Sequence, residues 1–447
     1  MNAFKAYDFR GKFEEDFTLE DVYKIGYFLP ELLNTRKILV GRDARLSSPG
    51  MFEALARGIV EAGADVYDMG LCTTPMVYYF TAKHHFEASV MITASHNPKE
   101  YNGLKISRAN ALPVGYDTGL ATLEKWLTRT TPKPVLKQGK IINYPVKAEY
   151  LSFLSRYQYD ISNLNMVIDC SNGMASLLVK DIFGQKPIYL YDILDGHFPN
   201  HEANPLEMKN VKDLSQKVTG TFSDIGVIFD GDADRVMFVD EHGKFIPPDL
   251  LIAVLAHYYI LEKHEEGQVI MDIRTSKSVS EYIEKMGCEP YIWRVGRAYA
   301  ALKLREINGS FGGEFAGHYY SKYFFYSDSA MLAALLILHV FSQMKTKGIS
   351  VSALISRIAV YANSGELNFK IANKEGAIET VKKHFLEQEK ALKIMDFDGY
   401  RIEFESWWFN IRPSNTEPYL RLLVEARTQE LLTLKINEIE NILRQFA

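Results

Sequence analysis

Residues 227–235 read Val-Ile-Phe-Asp-Gly-Asp-Ala-Asp-Arg, a short apolar run that passes directly into a polar loop. Two other stretches have the same form, residues 90–98 (Val-Met-Ile-Thr-Ala-Ser-His-Asn-Pro) and residues 309–318 (Gly-Ser-Phe-Gly-Gly-Glu-Phe-Ala-Gly-His). Such runs are typical of strands that are buried on both faces of a parallel sheet. Open α/β sheets bind ligands in the loops at the carboxyl ends of their strands. The three stretches therefore predict three α/β domains of related plan, each with a functional loop.

An earlier apolar run precedes each of these stretches by about 40 to 60 residues. The three earlier runs are residues 38–40, 166–168 and 269–271, and each ends in polar residues. After the first of them, Ser48 and Pro49 are predicted as the N-cap and the first residue of a helix, because apolar residues follow at helical spacing. Each predicted domain therefore contains a second strand and loop.

Roughly the last ninety residues have a different pattern. Residues 407–409 and 420–424 predict strands on either side of a polar loop, and apolar residues at helical spacing between 431 and 443 predict a closing helix. The predicted fold class is α/β, with three related α/β/α mixed-sheet domains and a C-terminal α+β domain around a central cleft. The predicted domains are residues 1–143, 144–244, 245–358 and 359–447.

Composition and charge restrict the function classes. Of 447 residues, 47% are hydrophobic and 24% are charged, which is ordinary for a soluble globular protein. The net charge of -5 argues against a general binder of nucleic acid or of membrane surfaces. Three widely spaced cysteines, and charged residues where a secretory signal would begin, predict reduced thiols and a cytoplasmic location. The longest apolar stretch, residues 331–341, is too short to span a bilayer and predicts a buried helix.

Asp230, Asp232 and Asp234 alternate directly after an apolar strand. Carboxylates this close repel one another by roughly 4 kcal/mol per pair at about 4 Å and an effective dielectric constant near 20. A bound cation removes that repulsion, and a set of oxygen ligands suits Mg²⁺ or Ca²⁺. The loop therefore predicts a site for a divalent cation.

Three alternatives for this loop stay open at this point. An EF-hand loop would have Glu241 at its twelfth position, but Arg235 stands at the sixth position, where glycine is needed. An aspartyl-phosphate enzyme also has Asp-Gly-Asp after an apolar strand, although Thr or Val is usual where this chain has Asp234. A solvated acidic turn is the third alternative.

Ser95 stands between an apolar strand and an Asn-Pro pair. One interpretation is an ordinary turn with an exposed serine, and the other is a nucleophile or phosphoserine on a rigid loop. His96 or Lys105 could manage its proton, but Lys105 would need a lowered pKa to act as a base near neutral pH.

Residues 412–416 place a guanidinium, two hydroxyls and an amide in one short loop, a set that suits a phosphate. The alternative is a hairpin loop whose polar side chains satisfy one another. Gly312 and Gly313 allow a close approach to a ligand, and Glu314 can accept hydrogen bonds from sugar hydroxyls. His318 by itself is more typical of a structural histidine.

Taken together, the four loops resemble the α-D-phosphohexomutase family, which includes phosphomannomutases and phosphoglucomutases. The resemblance covers nearly the whole chain. It also includes residues 6–11 (Ala-Tyr-Asp-Phe-Arg-Gly), residues 41–43 (Gly-Arg-Asp) with Ser47, and residues 195–205.

The resemblance implies a role for each matching residue. Ser95 is implied as the phosphoserine, and Ser95, Asp230, Asp232 and Asp234 as the ligands of one Mg²⁺ per chain. The residues implied around the transferred phosphoryl group are Tyr7, Arg10, His96, Lys105 and Arg235. The residues implied in substrate binding are Arg274, Glu314, His318, Arg412, Ser414, Asn415 and Thr416.

The implied reaction interconverts hexose 6-phosphate and hexose 1-phosphate through a hexose 1,6-bisphosphate, which also serves as activator. Mannose phosphate is the expected substrate and glucose phosphate the second, with a monomer or weak dimer and no nucleic-acid or membrane partner. There are three departures from the family pattern: Ala233 in the metal loop, Ala316 in the sugar loop and the segment 293–297; the last two bear on the choice of hexose. A phosphoglucosamine mutase, a serine-dependent sugar phosphatase and a sugar-phosphate sensor are the alternatives.

Overall fold

Four β-sheets follow one another along the chain, each with its own helices. The structure is a computed structural model that describes residues 2–414 and 419–446. The strands of the first sheet are β1 (Phe9–Lys12), β2 (Lys37–Arg42), β3 (Asp65–Leu71), β4 (Ala88–Ile92), β5 (Tyr101–Arg108), β6 (Leu112–Pro113) and β7 (Ile141–Asn143). The helices of this first domain are α1 (Leu19–Leu32), α2 (Ser48–Glu61), α3 (Thr74–Lys83) and α4 (Leu120–Arg129).

The second and third domains have five-stranded sheets. The second domain comprises α5 (Lys147–Leu154), β8 (Met166–Asp169), α6 (Val179–Phe183), β9 (Ile188–Leu190), α7 (Met208–Gly220), β10 (Ile225–Phe229), β11 (Val236–Asp240) and β12 (Phe245–Ile246). The third comprises α8 (Leu250–Ala256), which continues as a π-helix (His257–Glu262), β13 (Val269–Asp272), α9 (Lys277–Lys285), β14 (Pro290–Trp293), α10 (Arg297–Glu306), β15 (Phe311–Gly313), β16 (Tyr319–Ser321), β17 (Ser327–Asp328), α11 (Ala330–Thr346) and α12 (Val351–Ile358).

These three sheets share one plan, which confirms the predicted relation between the domains. Five strands of the seven-stranded first sheet have the order β3-β2-β4-β5-β6, and the other two sheets have the orders β9-β8-β10-β11-β12 and β14-β13-β15-β16-β17. In each, the first three strands are parallel, and the last two are antiparallel hairpin partners. In the first sheet, β1 also pairs with β5 and β7 with β3. Each predicted functional loop joins the third strand of this plan to the fourth, so the three loops occupy equivalent positions.

The fourth domain is an antiparallel sheet packed against two helices, which confirms the α+β prediction. Its strands are β18 (Ala362–Lys370), β19 (Lys393–Met395), β20 (Tyr400–Glu403), β21 (Trp407–Pro413) and β22 (Tyr419–Ala426), in the order β18-β22-β21-β20-β19. Its helices are α13 (Lys374–Gln388) and α14 (Gln429–Leu443). The predicted phosphate loop joins β21 to β22.

Some local predictions differ from the structure. Helix α2 begins at Ser48 and its N-cap is Ser47, one residue earlier than predicted, because the Ser48 hydroxyl donates instead to Asp43 Oδ1 at 2.6 Å. Strand β15 begins at Phe311 and includes two glycines; a Cβ on Gly312 would lie 2.1 Å from the Ile270 side chain of the neighbouring strand. The predicted boundary at 244 would separate β12 from its partner β11, so we place it after β12.

The buried apolar side chains show which domains share a core. One continuous cluster of buried side chains extends through the first three domains, whereas the fourth domain has a separate core. Helix α11 is buried almost throughout, as residues 331–341 predicted. Across residues 2–414 and 419–446, no helix combines the length and apolar character needed to cross a membrane.

Candidate active site

The four predicted loops line one cleft of about 1260 Å³. Ser95 comes from the first domain, Asp234 from the second, Glu314 from the third and Arg412 from the fourth. Because the first three loops follow equivalent strands, the repeated plan brings their polar residues to the same cleft. The predicted central cleft is therefore present, and it is bounded by all four domains.

Ser95 lies at the junction of the first two domains. Its Oγ donates to Asp230 Oδ2 at 2.8 Å, and the Arg235 guanidinium donates to the same Oγ at 3.3 Å. His96 Nδ1 is 3.3 Å from this oxygen. The serine is buried, with a φ of +51°, a left-handed conformation that non-glycine residues seldom adopt. This geometry is unlike the exposed serine of an ordinary Asn-Pro turn.

The two candidate proton carriers differ in charge. Burial, together with Arg235 and Arg10, holds the pKa of His96 well below its usual value, so the imidazole is neutral. Burial lowers the pKa of Lys105, but Asp232 and Asp234, at 2.7 and 2.6 Å from Nζ, raise it well above the ordinary value. Lys105 is therefore a cation here, not the base considered from the sequence.

Asp230, Asp232 and Asp234 bring carboxylate oxygens within 4.8 Å of one another. Burial, reinforced by Asp234 and Asp232, raises the pKa of Asp230 to about 7. In the described part of the chain, Asp232 Oδ1 is buried without a hydrogen-bond partner, and Asp234 Oδ1 has ion-pair contacts at 3.5 and 3.8 Å but no hydrogen bond. Buried anionic oxygens in this state fit a hard divalent cation. Antiparallel strands β10 and β11 flank the loop, which excludes the helix-flanked EF-hand.

The sugar loop contacts the metal loop through His318. Its Nε2 is 3.5 Å from Asp234 Oδ1, and its Nδ1 is 3.4 Å from Glu314 Oε2. Burial lowers the pKa of His318, but Asp234 and Glu314 outweigh burial and raise it to about 10, so the imidazole is charged. Glu314 Oε1 accepts hydrogen bonds from the Tyr320 hydroxyl at 2.7 Å and from Gly296 N at 3.3 Å. The carboxylate therefore has a fixed orientation in the cleft.

Three arginines converge on one carboxylate in the part of the cleft next to the phosphate loop. Glu366 is contacted by Arg421 at 2.8 Å, by Arg274 at 3.4 Å and by Arg412 at 3.5 Å. Ser414 also lines the cleft, whereas Asn415 and Thr416 lie outside the described residues. Sequence reasoning missed Arg421 and Glu366. The signal for Arg421 was a charged residue within the apolar strand β22, directly opposite Arg412.

Tyr7 and Arg10 extend the site from the amino-terminal strand region. The Tyr7 hydroxyl is 3.5 Å from Val295 O. The Arg10 guanidinium donates to Asn97 Oδ1 at 2.9 Å and is paired with Asp8. Both residues line the cleft, so all of the described candidate residues except Asp230 and Asp232 do so, and those two lie directly behind Ser95 and Lys105.

Arg297 belongs to the segment 293–297, which departs from the family pattern, and its side chain makes three contacts. Its Nε donates to Asp328 Oδ1 at 2.9 Å, its Nη2 donates to Ala111 O at 2.9 Å, and its guanidinium lies 3.5 Å from the centre of the Tyr78 ring. This arginine therefore ties the third domain to the first at the edge of the cleft.

Family models match the chain in four consecutive segments. The alpha/beta/alpha domains I, II and III of phosphoglucomutase/phosphomannomutase match residues 1–132, 148–243 and 247–361, and the C-terminal domain of the same family matches residues 366–441. The order of the four models is the order of the four sheets.

Similar proteins match over the full length. A protein of Xanthomonas campestris pv. campestris described as phosphohexose mutases is 36% identical, with 99% of each chain covered. A phosphomannomutase of Escherichia coli is 34% identical, again with 99% of each chain covered. A crystal structure of a phosphoglucomutase/phosphomannomutase family protein from Burkholderia thailandensis superposes with a TM-score of 0.87 at 26% identity, covering 99% of this chain and 97% of that one.

Proposed function

The chain belongs to the phosphoglucomutase/phosphomannomutase family, and from this premise we propose that it interconverts hexose 6-phosphates and hexose 1-phosphates. Membership makes the chain an isomerase that moves a phosphoryl group within its substrate. Mannose phosphate is the proposed substrate, supported by the phosphomannomutases among its relatives, with glucose phosphate second.

In the proposed cycle, phosphorylated Ser95 transfers its phosphoryl group to the free O1 or O6 hydroxyl of the bound hexose phosphate. The bond between phosphorus and Ser95 Oγ breaks, a bond between phosphorus and the sugar oxygen forms, and the hydroxyl proton ends on Ser95 Oγ. The hexose 1,6-bisphosphate then turns over in the cleft and returns its other phosphoryl group to Ser95. Neutral His96 lies 3.3 Å from Oγ, close enough to carry the proton.

Asp230, Asp232 and Asp234, with the Ser95 phosphate, are the proposed holders of one Mg²⁺. Bound Mg²⁺ neutralises charge on the phosphoryl oxygens. The two buried aspartate oxygens without hydrogen-bond partners support this assignment. Lys105, Arg10 and Arg235 place three further positive charges around the same position, which suits a reaction whose catalysis is mainly positioning and electrostatics.

The distal phosphate of the substrate is proposed to bind at Arg412 and Ser414, with Arg274 nearby, and Glu314 and His318 are proposed to hold the sugar hydroxyls. Asn415 and Thr416 complete this set as proposals from the resemblance. Since each orientation of the bisphosphate presents one phosphate to this region, the same residues serve both half-reactions. A hexose 1,6-bisphosphate is the proposed activator because it can phosphorylate Ser95 in enzyme that has lost its phosphoryl group.

One observation carries the proposal: Ser95 Oγ contacts Asp230 of the acidic cluster within a cleft bounded by all four domains. The test is a coupled assay with mannose 1-phosphate and glucose 1-phosphate side by side, for wild type, Ser95→Ala and Ser155→Ala, where Ser155 is an exposed serine distant from the cleft. We expect phosphate on Ser95 by peptide mapping, loss of activity in Ser95→Ala alone, and a lag in dephosphorylated enzyme that catalytic glucose 1,6-bisphosphate abolishes.

Other outcomes would reassign the function. Release of free phosphate without any isomer would indicate a phosphatase. A base-labile acyl phosphate on Asp230 would indicate the aspartyl-phosphate class. Turnover of glucosamine phosphate alone would indicate a phosphoglucosamine mutase.

A further inference from the structure

Arg45 is a buried arginine that sequence reasoning did not identify. It follows β2, with only 1% of its surface exposed, and it is not among the residues that line the cleft in the described part of the chain. Its guanidinium donates four hydrogen bonds to backbone carbonyls of residues 95–101. The acceptors are Ser95 O at 2.9 Å, Asn97 O at 2.7 Å, Pro98 O at 2.7 Å and Tyr101 O at 2.9 Å.

Asp43 fixes the orientation of this arginine. Its Oδ2 is 3.2 Å from Arg45 Nε, and its Oδ1 accepts a hydrogen bond from Arg45 N at 3.0 Å. The Ser48 hydroxyl donates to the same Oδ1 at 2.6 Å and ties the pair to the start of α2. A planar guanidinium held in this way presents its donors in one fixed fork.

The second domain covers Arg45 with the segment 195–200. A Cβ on Gly196 would lie 2.2 Å from Ala44 O and 3.0 Å from Arg45 Cα, so only glycine allows this approach. The Phe198 ring lies 5.1 Å from the guanidinium carbon. The cover keeps the four hydrogen bonds in a buried environment, where exchange with water is disfavoured. Residues 195–205 contributed to the family resemblance without an assigned role. Their contact with Arg45 gives a structural reason for Gly196 and Phe198.

The carbonyl of Ser95 itself is one of the four acceptors, and Ser95 has a left-handed backbone conformation. Such a conformation persists only where its surroundings impose it. Four hydrogen bonds from one buried side chain, to the carbonyls of Ser95, Tyr101 and the Asn97-Pro98 pair between them, provide that constraint.

We propose that Arg45 is a positioning residue for phosphoryl transfer: through the backbone of residues 95–101 it holds Ser95 Oγ against Asp230 and the acidic cluster, without touching the substrate. The inference rests on the proposed role of Ser95. It predicts that loss of Arg45 slows transfer to and from the serine and leaves sugar-phosphate binding nearly unchanged, since the sugar and phosphate loops belong to other domains.

The test compares full-length wild type, Arg45→Met and Arg45→Lys. Lysine keeps the positive charge but cannot present the planar fork of donors. This variant therefore distinguishes an effect of the hydrogen bonds to residues 95–101 from a long-range effect of the charge. The control is Arg305→Met, because Arg305 also donates to backbone carbonyls, those of Ala301, Asn110 and Phe325, but lies away from the cleft. Melting temperatures are recorded for every variant.

The readouts are the single-turnover rate at which glucose 1,6-bisphosphate phosphorylates Ser95, followed by intact mass, and kcat and KM for glucose 1-phosphate. A displacement of a reacting group by about 1 Å can cost about a hundredfold in rate. We expect a loss of about that size in the transfer rate and kcat for both Arg45 variants, KM within about threefold of wild type, and an unchanged transfer rate for Arg305→Met.

Three results would overturn the inference: an unchanged transfer rate in Arg45→Met, full rescue by lysine, or a change confined to KM. If Arg45→Met does not fold, Phe198→Ala replaces it, with an expected loss of about tenfold in the transfer rate, and no loss there counts against the inference. If wild type did not become phosphorylated on Ser95, the proposed function would be wrong. That outcome differs from a result that contradicts only the role of Arg45, so the two can be told apart.

Discussion

The junction among the first three domains and the attachment of the fourth are built from different kinds of contact. At the first junction, Tyr79, Tyr150 and Phe324, one from each domain, form a buried aromatic cluster with ring centres 5.6 to 6.3 Å apart. At the second, Arg401 donates to Ile273 O and Thr275 O, and Lys277 N donates to Glu425.

This difference in contacts places the proposed phosphoryl-transfer residues and part of the proposed phosphate-binding site in separately packed parts of the molecule. Buried aromatic contacts hold the first three domains in one arrangement, and these domains carry Ser95, the three aspartates and Glu314. The fourth domain has its own core and carries Arg412. Because the fourth domain has a separate core, it can shift as a unit without disrupting the apolar packing of the other three, so we expect it to move relative to them and to close the cleft over substrate.

The largest expected effect is on the aromatic junction. Phe324→Ala removes a buried ring that contacts two other domains, and such a truncation costs about 3–5 kcal/mol of the free energy of unfolding. Thermal unfolding and hydrogen exchange are the measurements. Protection should fall in all three domains and persist in the strands β18 to β22 and the helices α13 and α14 of the fourth domain.

The control for this variant is Phe222→Ala, because Phe222 is 90% exposed and its truncation should change stability by less than about 0.5 kcal/mol. If Phe324→Ala lowered hydrogen-exchange protection equally in the fourth domain, that result would contradict the separation of this domain from the other three.

The next effect concerns the acidic cluster of the first three domains, which share one core and are called the three-domain body here. Asp232→Asn removes one charge from the proposed metal ligands, and the expected loss in kcat is about 10²–10³-fold, with the fold intact. Asp213→Asn is the matched control, since Asp213 is an exposed aspartate that pairs with Tyr191. Activity and bound Mg²⁺ are measured together. Full activity of wild type after exhaustive chelation would refute the metal assignment.

A smaller effect is expected for the fourth domain. Arg412→Ala should lower kcat/KM about ten- to a hundredfold in both reaction directions, because charge-assisted hydrogen bonds to a phosphate contribute about 1.5–3 kcal/mol. Phosphorylation of Ser95 by a small donor such as acetyl phosphate should continue, since that step needs only the three-domain body. The exposed Arg444→Ala is the control. An unchanged kcat/KM in either direction would show that Arg412 is not the distal phosphate clamp.

The sequence predicted the architecture well because strands buried on both faces are apolar and their loops are polar. The runs at 90–92 and 227–229 therefore identified their strands, and the residues after them identified the cleft. The aspartate triplet carried its own signal, because alternating carboxylates after a strand have few structural reasons to occur.

The supporting residues carried no such signal. Arg45 acts on a segment about fifty residues further along the chain, and its four acceptors are carbonyls, which no side-chain pattern reveals. Glu366 lies in an ordinary mixed strand, β18, and its three arginines come from separate elements. The charge of Lys105 likewise depends on Asp232 and Asp234, more than a hundred residues away.

The smallest effect tests the polar attachment itself. Glu366 is ionised, because Arg274, Arg412 and Arg421 outweigh burial and hold its pKa below the usual value. A phosphate that binds the same arginines must compete with this carboxylate. Glu366→Gln removes the competing charge, and one partly exposed ion pair contributes up to about 1 kcal/mol. We therefore expect inorganic phosphate to inhibit the variant at about fivefold lower concentration.

The measurement is the inhibition constant of inorganic phosphate against glucose 1-phosphate, at two ionic strengths. Because the effect is electrostatic, it should shrink as salt is added. Glu440→Gln is the matched control, since Glu440 pairs with Arg444 in the same domain but outside the cleft. Weaker inhibition in Glu366→Gln would mean that the carboxylate orders the three arginines for phosphate instead of competing with it, and the attachment would then be preorganised for substrate before the cleft closes.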